Sequence, residues 1–331
     1  MFATLLGGLP RPLDPAGAPL VDDDAAVIAA LEAQVASGLE PLTDGRLRIR
    51  GPFGALAGLA GVDERAGELR MTGLPRWRGQ LTVDGWRFAA THAAALVKQA
   101  LPGPFTLGRR FGAGDRDAMT MAFASALRAE IAALASAGCA LVEIEERDAH
   151  LIGADEVERR TFVRAHRLLL DGIEGVHVSL AIVSASADAA GIETILAAPY
   201  RSLAVDLIDG PDNWRLVTAA PGDRGIVCGA LSTRDPSDDG PELLLWAAGY
   251  AAASGSRGLD RVGLATAGSL AALPWTVAAR KLERLGHAAR LAALPASRAV
   301  EQLEPRAINI RSAAAGRPVP DGPRGRRRPP S

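Results

Sequence analysis

The chain has 331 residues, of which 48% are hydrophobic and 23% charged, which predicts a globular protein with a sizeable core. Its 37 basic and 38 acidic side chains give a net charge of −1, which excludes a broad polyanion-binding surface. The only two cysteines, Cys139 and Cys228, exclude a disulfide scaffold and an all-cysteine metal cluster, and we expect both thiols to be buried and inert.

No apolar run approaches the roughly 20 residues of a membrane-spanning helix. The first residues, MFATLLGGLPRPLD, lack the basic region that precedes the apolar run of a signal peptide. We therefore expect a cytoplasmic protein with no membrane partner.

Short apolar runs alternate along the chain with longer segments rich in Ala, Leu, Glu and Arg. The predicted strands are Ala3–Leu6, Pro41–Thr43, Phe105–Leu107, Ala140–Glu145, Val176–Ile182, Leu203–Ile208, Gly225–Leu231 and Arg261–Ala265. The predicted helices are Asp24–Ser37, Asp117–Ala137, Asp155–Asp171, Ala187–Ala197, Asp212–Ala220, Pro241–Ser254 and Pro274–Leu291. This alternation predicts an α/β protein with the eight βα units of a TIM barrel. An open doubly wound sheet is the alternative, but its usual GxGxxG turn is absent after the first strand.

Two segments depart from the βα pattern. Residues 69–90 are predicted to form an inserted hairpin after the second strand, with Asp84 and Gly85 at its turn. Residues 312–331 are rich in Pro and Arg and predict a disordered basic tail, so that residues 1–311 form a single barrel domain. Such a tail can contact nucleic acid or acidic partners, but a solubilising role is commoner, and we expect no nucleic-acid partner.

In a TIM barrel the carboxyl ends of the strands form the active face, so the polar residues there are candidate site residues. Glu143 and Glu145 alternate inside an apolar strand, which a solvated surface loop would not require. Glu145 and His177 are the predicted acid–base pair, although a lone histidine is as often a hydrogen-bonded core residue. The predicted ligand-binding residues are Arg11, Asp44, Arg46, Glu146, Ser179, Asp209 and Ser232.

Several motifs, in the same order along residues 1–292, resemble those of the cobalamin-independent methionine synthase family. ATLLGGLPRP resembles its TTxxGSFPR segment, PLTDGRLR its TDGE-type motif, and LPGPFTLGRRF its GPxT segment. ALRAEIAALASAGCALVEIEERD resembles its long helix with the IDEP signature, VHVSL its HxC, and TAGSLAALPWTVAARKLERL its DCGL with the following helix. The resemblance implies a barrel and methyl transfer to a thiol.

The same resemblance implies a zinc ion bound by His, Glu and two Cys, which holds the thiol as a thiolate. The four positions fall at His177, Ser179, Asp209 and Ala267. Because alanine has no donor atom and a serine hydroxyl is a poor zinc ligand, we expect no bound zinc and a degenerate site.

The amino-acid pocket that the resemblance implies is altered as well. Its serine falls at Gly8, its ammonium-binding acid at Arg46, and the aspartate of IDEP at Glu145. A guanidinium would repel the ammonium of homocysteine, so we expect a different small ligand, one that is anionic.

Three hypotheses follow. The first is an enzyme of the methyltransferase family with altered chemistry, the second is methyl transfer with an unusual or partner-supplied metal site, and the third is a non-catalytic binding or regulatory barrel. A folate or a corrinoid is the methyl donor that the resemblance implies, with a corrinoid or methyl-donor protein as the corresponding partner.

Overall fold

The computed structural model describes residues 1–49, 51, 53–234, 240–295 and 298–299. The predicted tail at 312–331, and the predicted domain boundary at residue 311, lie outside these residues.

Seven parallel strands form the central sheet. They are β1 (Phe2–Thr4), β4 (Gln99–Pro102), β5 (Leu141–Glu146), β6 (His177–Ile182), β7 (Ser202–Asp206), β8 (Gly225–Leu231) and β9 (Val262–Thr266). Their order is β1-β9-β8-β7-β6-β5-β4. The sheet is curled. This is shown by Gly7, just after β1, which lines the same cavity as Glu145 on β5. The parallel α/β class is confirmed.

The predicted second strand is only a short extended segment. Glu40 donates its N–H to the carbonyl of Ala3 at 2.8 Å, and Leu42 donates to the carbonyl of Leu96 at 2.7 Å. Isolated bridges therefore join this segment to β1 on one side and to the residues before β4 on the other. The described residues hold seven regular strands in the curled sheet, with this segment between its two edges.

Nine helices are described. They are α1 (Asp23–Ser37), α2 (Val83–His92), α3 (Pro104–Phe111), α4 (Arg116–Ser136), α5 (Glu156–Leu170), α6 (Ile192–Leu196), α7 (Trp214–Ala219), α8 (Pro241–Ala253) and α9 (Trp275–Ala293). Aspartates at the N-caps of α1, α4 and α5 accept hydrogen bonds from backbone N–H groups of the first turn. These local signals explain why the long helices were predicted within two residues of their ends.

One predicted strand is wrong. Phe105–Leu107 lies inside α3, which begins with Pro104 at its first position. The backbone N–H groups of Phe105 and Thr106 donate to the Glu146 carboxylate at 2.9 and 2.8 Å. This carboxylate comes from a strand forty residues away, so a tertiary contact stabilises a helix start that the local sequence does not predict.

The inserted hairpin lies earlier than predicted. It consists of β2 (Ala60–Arg65) and β3 (Glu68–Arg76), which pair antiparallel. The predicted turn at Asp84 and Gly85 is wrong, because both residues lie in the first turn of α2.

A buried carboxylate fastens this insertion to the fold. Glu130 on α4 accepts hydrogen bonds from the Trp77 indole, from the backbone of Leu81 and from both the backbone and hydroxyl of Thr82, at 2.7 to 2.9 Å.

By length and composition α4 could also cross a membrane, but half of its most apolar stretch is buried within the fold, as in the core helix of a globular protein.

Small side chains dominate the middle of the sheet's interior. The buried interior cluster consists of Leu6, Ala181, Val183, Ala204, Val227 and Ala265. Barrel interiors are normally filled by layers of bulky branched side chains. Three of these six residues are alanines, and the layer lies between two cavities, one lined by Val227 and the other by Val183.

Candidate functional site

A cavity of about 230 Å³ lies at the carboxyl ends of the strands. Its polar lining comes from Glu145, Arg147, Ser184, Asp206, Asp209, Thr233, Arg234 and Ser269. Gly7 must approach Ser269 closely here, since its φ is +76° and an added Cβ would lie 2.7 Å from the Ser269 Cα. This close approach packs the loop after β1 against the loop after its neighbouring strand β9, at the edge of the cavity.

Glu145 lies between two guanidinium groups. The Arg46 Nη2 is 2.5 Å from its Oε1 and the Arg147 Nη2 is 3.4 Å from its Oε2. Burial raises the pKa of the Glu145 carboxyl, but Arg46 and Arg147 lower it more, so that it lies below the ordinary value of 4.5. The structure therefore brings the predicted Arg46 and Glu145 together as an ionised pair.

The turn that carries Arg46 fixes its direction. Arg46 has a φ of +59°, and its N–H donates to Asp44 Oδ1 at 2.9 Å. An aspartate that accepts from the backbone two residues on stabilises such turns. The predicted Asp44 thus positions Arg46, while its own side chain lines a separate cavity of about 490 Å³.

Asp206 is a buried carboxyl of this site that the sequence analysis missed. It ends β7 and accepts hydrogen bonds from the backbone of Ile208, Asp209 and Ser184 at 2.9, 2.9 and 3.2 Å. Burial raises its pKa above 3.8 in spite of these donors, and the neighbouring Asp209 raises it further. The predicted Asp209 is more exposed and pairs with Arg234 at 3.0 Å. The alternation of Ser202, Ala204 and Asp206 along the strand was the available signal.

Glu146 faces the other side of β5. It caps α3 and lies 3.0 Å from His166 Nε2, and His166 Nδ1 is 2.6 Å from the Tyr200 hydroxyl. All three side chains are buried. The predicted ligand-binding Glu146 is therefore enclosed in a network that joins β5 to α3 and α5, on the opposite face from the cavity.

His177 does not share a site with Glu145. It is the first residue of β6 and pairs with Leu141, whereas Glu145 pairs with Ala181. Four residues of strand separate the two levels by about 13 Å. His177 Nε2 lies 2.7 Å from the Ser202 hydroxyl, and both side chains, with Ser179, line a cavity of about 870 Å³ at the amino ends of the strands. The structure thus places the two candidate acid–base residues in separate cavities, because the pattern of a strand does not reveal where its pairing begins.

The remaining predicted residues lie apart. Arg11 forms an ion pair with Asp23 and donates to the carbonyls of Leu20 and Leu47 at 3.0 and 3.2 Å, so its guanidinium is already engaged. Ser232 lines a fourth cavity of about 340 Å³.

The predicted zinc positions do not converge. His177 and Ser179 line the amino-end cavity, while Asp209 and Ala267 line the carboxyl-end cavity. Within the part of the chain that the structure describes, no three His, Cys, Asp or Glu side chains come together as a metal-binding group. Cys139 and Cys228 are buried, as predicted, and burial raises their pKa values to about 11 and about 12.

A curled parallel sheet with its helices defines a TIM-barrel-like α/β fold, and solved structures share it. A B12-independent methionine synthase from Shewanella sp. superimposes with a TM-score of 0.76 at 16% identity, over 91% of this chain and 99% of that chain. A candidate B12-independent methionine synthase from Listeria monocytogenes gives 0.70 at 16% identity, over 88% and 97%. A methyltransferase from Methanosarcina mazei gives 0.57 at 14% identity, over 87% and 94%.

These likenesses establish the fold. No family model matches the sequence, and no curated protein matches it.

Proposed function

We propose that the protein is an enzyme related to methionine-synthase-like methyltransferases that acts on a small molecule carrying a carboxylate, bound at the carboxyl ends of the strands. The observation that carries the proposal is the Arg46–Glu145–Arg147 cluster beside the cavity. Glu145 forms the closer ion pair with Arg46 and Arg234 pairs with Asp209, so Arg147 is the cation of the cavity left for a ligand anion, with the Asp206 carboxyl beside it. The Arg147 side chain lines the cavity and is 28% exposed, so it can reach that anion.

The described residues divide the work in this proposal. Arg147 binds the carboxylate, and Glu145 positions both guanidinium groups. Asp206 is the proton-transfer group, because its raised pKa brings it nearer to neutral pH than an ordinary aspartate. It would take the proton of an S–H, O–H or N–H group of the bound acid as that group accepts the methyl, and pass the proton to the demethylated donor or to solvent.

Zinc does not fit this site. Ala267 offers no donor atom, Asp206 already accepts three backbone hydrogen bonds, and His177 lies at the other end of the strands. The proposal therefore includes no metal-activated thiolate. A folate or a corrinoid, free or carried by a partner protein, is the methyl donor in this proposal.

Thermal unfolding with a panel of small carboxylates and their methyl esters tests the binding. Binding at 100 times Kd stabilises a protein by about 2.7 kcal/mol. We expect at least one acid to raise the Tm where its ester does not, and Arg147→Met to abolish the shift. Arg128→Met is the matched control, because Arg128 forms an exposed ion pair with Asp171. Equal shifts for acids and esters would contradict the proposed anion site.

Transfer of a labelled methyl group from methyltetrahydrofolate or methylcobalamin to the acid found above tests the reaction. We expect transfer by the parent protein and a loss of about 100-fold or more in Asp206→Asn, the range of a missing general acid–base group. Binding without transfer from either donor would instead identify a non-catalytic binding barrel.

A further inference from the structure

A large cavity lies at the amino ends of the strands, away from the site proposed above. Its volume is about 870 Å³, within the usual range for small-molecule sites. Ser179, Ser202 and Gly225 lie on its wall at the starts of three neighbouring strands. Because these side chains are small, this half of the interior is hollow, and the alanine-rich middle layer separates it from the carboxyl end.

A buried carboxylate of this cavity has a free oxygen. Glu143 Oε2 accepts from Lys98 Nζ at 2.8 Å, and the two side chains are 3% and 1% exposed. Glu143 Oε1 is also buried and has no hydrogen-bond partner within the described chain. Both side chains line the cavity. A buried acceptor left without a donor is costly, so this atom is a ready contact for a ligand group that donates.

The charges around the cavity balance. Lys98 and Glu143 neutralise each other inside, and three cations and three anions line the wall nearer the solvent. These six residues are Glu40, Arg201, Asp223, Arg224, Asp260 and Arg261. A charged ligand would place an uncompensated charge deep in the interior. An uncharged ligand would not, and most of the other lining residues, such as Phe2, Leu141 and Ile226, are apolar.

We propose that this amino-end cavity is a binding site for an uncharged small molecule with an apolar ring body and one N–H or O–H group, which donates a hydrogen bond to Glu143 Oε1. The site is spatially separate from the proposed anion site, because the interior cluster lies between the two cavities.

The fluorescent probe 2-naphthol and its methyl ether test the proposal, because methylation removes the donor and adds only one small group to the same ring system. Titration of the full chain measures Kd for each. A hydrogen bond to an ionised acceptor predicts that 2-naphthol binds about tenfold or more tightly than the ether. Equal affinities, or no binding of either probe, would overturn the proposal.

The double variant Lys98→Met/Glu143→Leu removes both charges and keeps the volume. We expect it to bind the ether with the parental Kd, which reports an intact cavity, and to bind 2-naphthol no better than the ether. If the double variant still binds 2-naphthol more tightly than the ether, the probe's O–H donates to a group other than Glu143, and the proposal is overturned. Arg147→Met is the matched control, and it should leave both Kd values unchanged while removing the carboxylate-dependent Tm shift. The experiments can therefore disprove either proposed site without disproving the other.

Discussion

At the two ends of the curled sheet the pKa of a buried glutamate is shifted in opposite directions. Glu143 and Glu145 are two residues apart on β5 and face the same interior. At the carboxyl end, Arg46 and Arg147 lower the pKa of Glu145 against the effect of burial. At the amino end, burial raises the pKa of Glu143 more than Lys98 lowers it, and Glu145 raises it further. Both carboxyls are buried, so the number of cations beside each one, rather than its burial, determines whether its pKa is lowered or raised.

Glu145→Gln should give the largest effect. It leaves the buried Arg46 guanidinium beside a neutral amide, and a guanidinium cannot lose its charge. Removing one partner of a buried ion pair costs about 3–5 kcal/mol of unfolding free energy, which urea unfolding measures. Asp171→Asn, at an exposed pair, should cost less than about 1 kcal/mol. A loss as small as that of the control would refute the idea that Glu145 compensates two guanidinium groups.

Lys98→Met should cost less than Glu145→Gln, although Lys98 is just as deeply buried. The partner it leaves, Glu143, has a raised pKa and can take up a proton instead of remaining a buried charge. We expect a loss of about 1–3 kcal/mol, the cost of an unsatisfied buried polar group. Urea unfolding at the same pH would show equal losses for the two variants if the two ends were alike.

The pH dependence of unfolding should separate the two carboxyls. Glu145 contributes stability that is present above about pH 4.5 and is lost as the pH falls through its lower folded pKa. Glu143 contributes stability that is present below about pH 4.5 and is lost as the pH rises through its raised folded pKa. The advantage of the parent over Glu145→Gln should therefore shrink on acidification, whereas its advantage over Glu143→Gln should shrink as the pH rises. Parallel curves for the two variants would be inconsistent with this difference.

His177→Gln should have the smallest effect. Burial, together with Arg201, lowers the pKa of His177 below 6.5, so the neutral ring is favoured and contributes stability above pH 6.5 that is lost as the pH falls. Loss of the contact with Ser202 should cost about 1 kcal/mol at pH 7.5, and less at pH 5.5. Thermal unfolding at the two pH values checks this. A larger loss at pH 5.5 would mean that the charged ring is the favoured form.

Local patterns predicted most of the fold. Apolar runs marked six of the seven strands of the sheet, and aspartate caps and apolar spacing marked the long helices. The misses were β4 with the neighbouring α3, and the position of the hairpin. In the first case Glu146 stabilises a helix start from far along the chain. In the second, a typical turn dipeptide begins a helix.

The candidate site was less predictable than the fold. The two-residue period of a strand places Glu145 inward and correctly predicts its place in the interior, but the same period assigns Glu146 to the opposite face. The position of His177 along the strand direction depends on which residue of β6 first pairs with β5. Here the His177 N–H donates to the carbonyl of Ala140 at 2.9 Å. Register of this kind is a property of two strands together, so one strand's pattern does not contain it.

Phe2, near the first residue of the chain, lines the amino-end cavity. Its ring covers Gly263 so closely that a Cβ there would lie 2.4 Å from the ring. Residues fused ahead of Met1 would therefore emerge beside the mouth of that cavity. An amino-terminal purification tag could compete with the probes described above, whereas the carboxyl-end cavity lies at the other end of the strands. Removing such a tag before titration is the practical requirement that this one contact imposes.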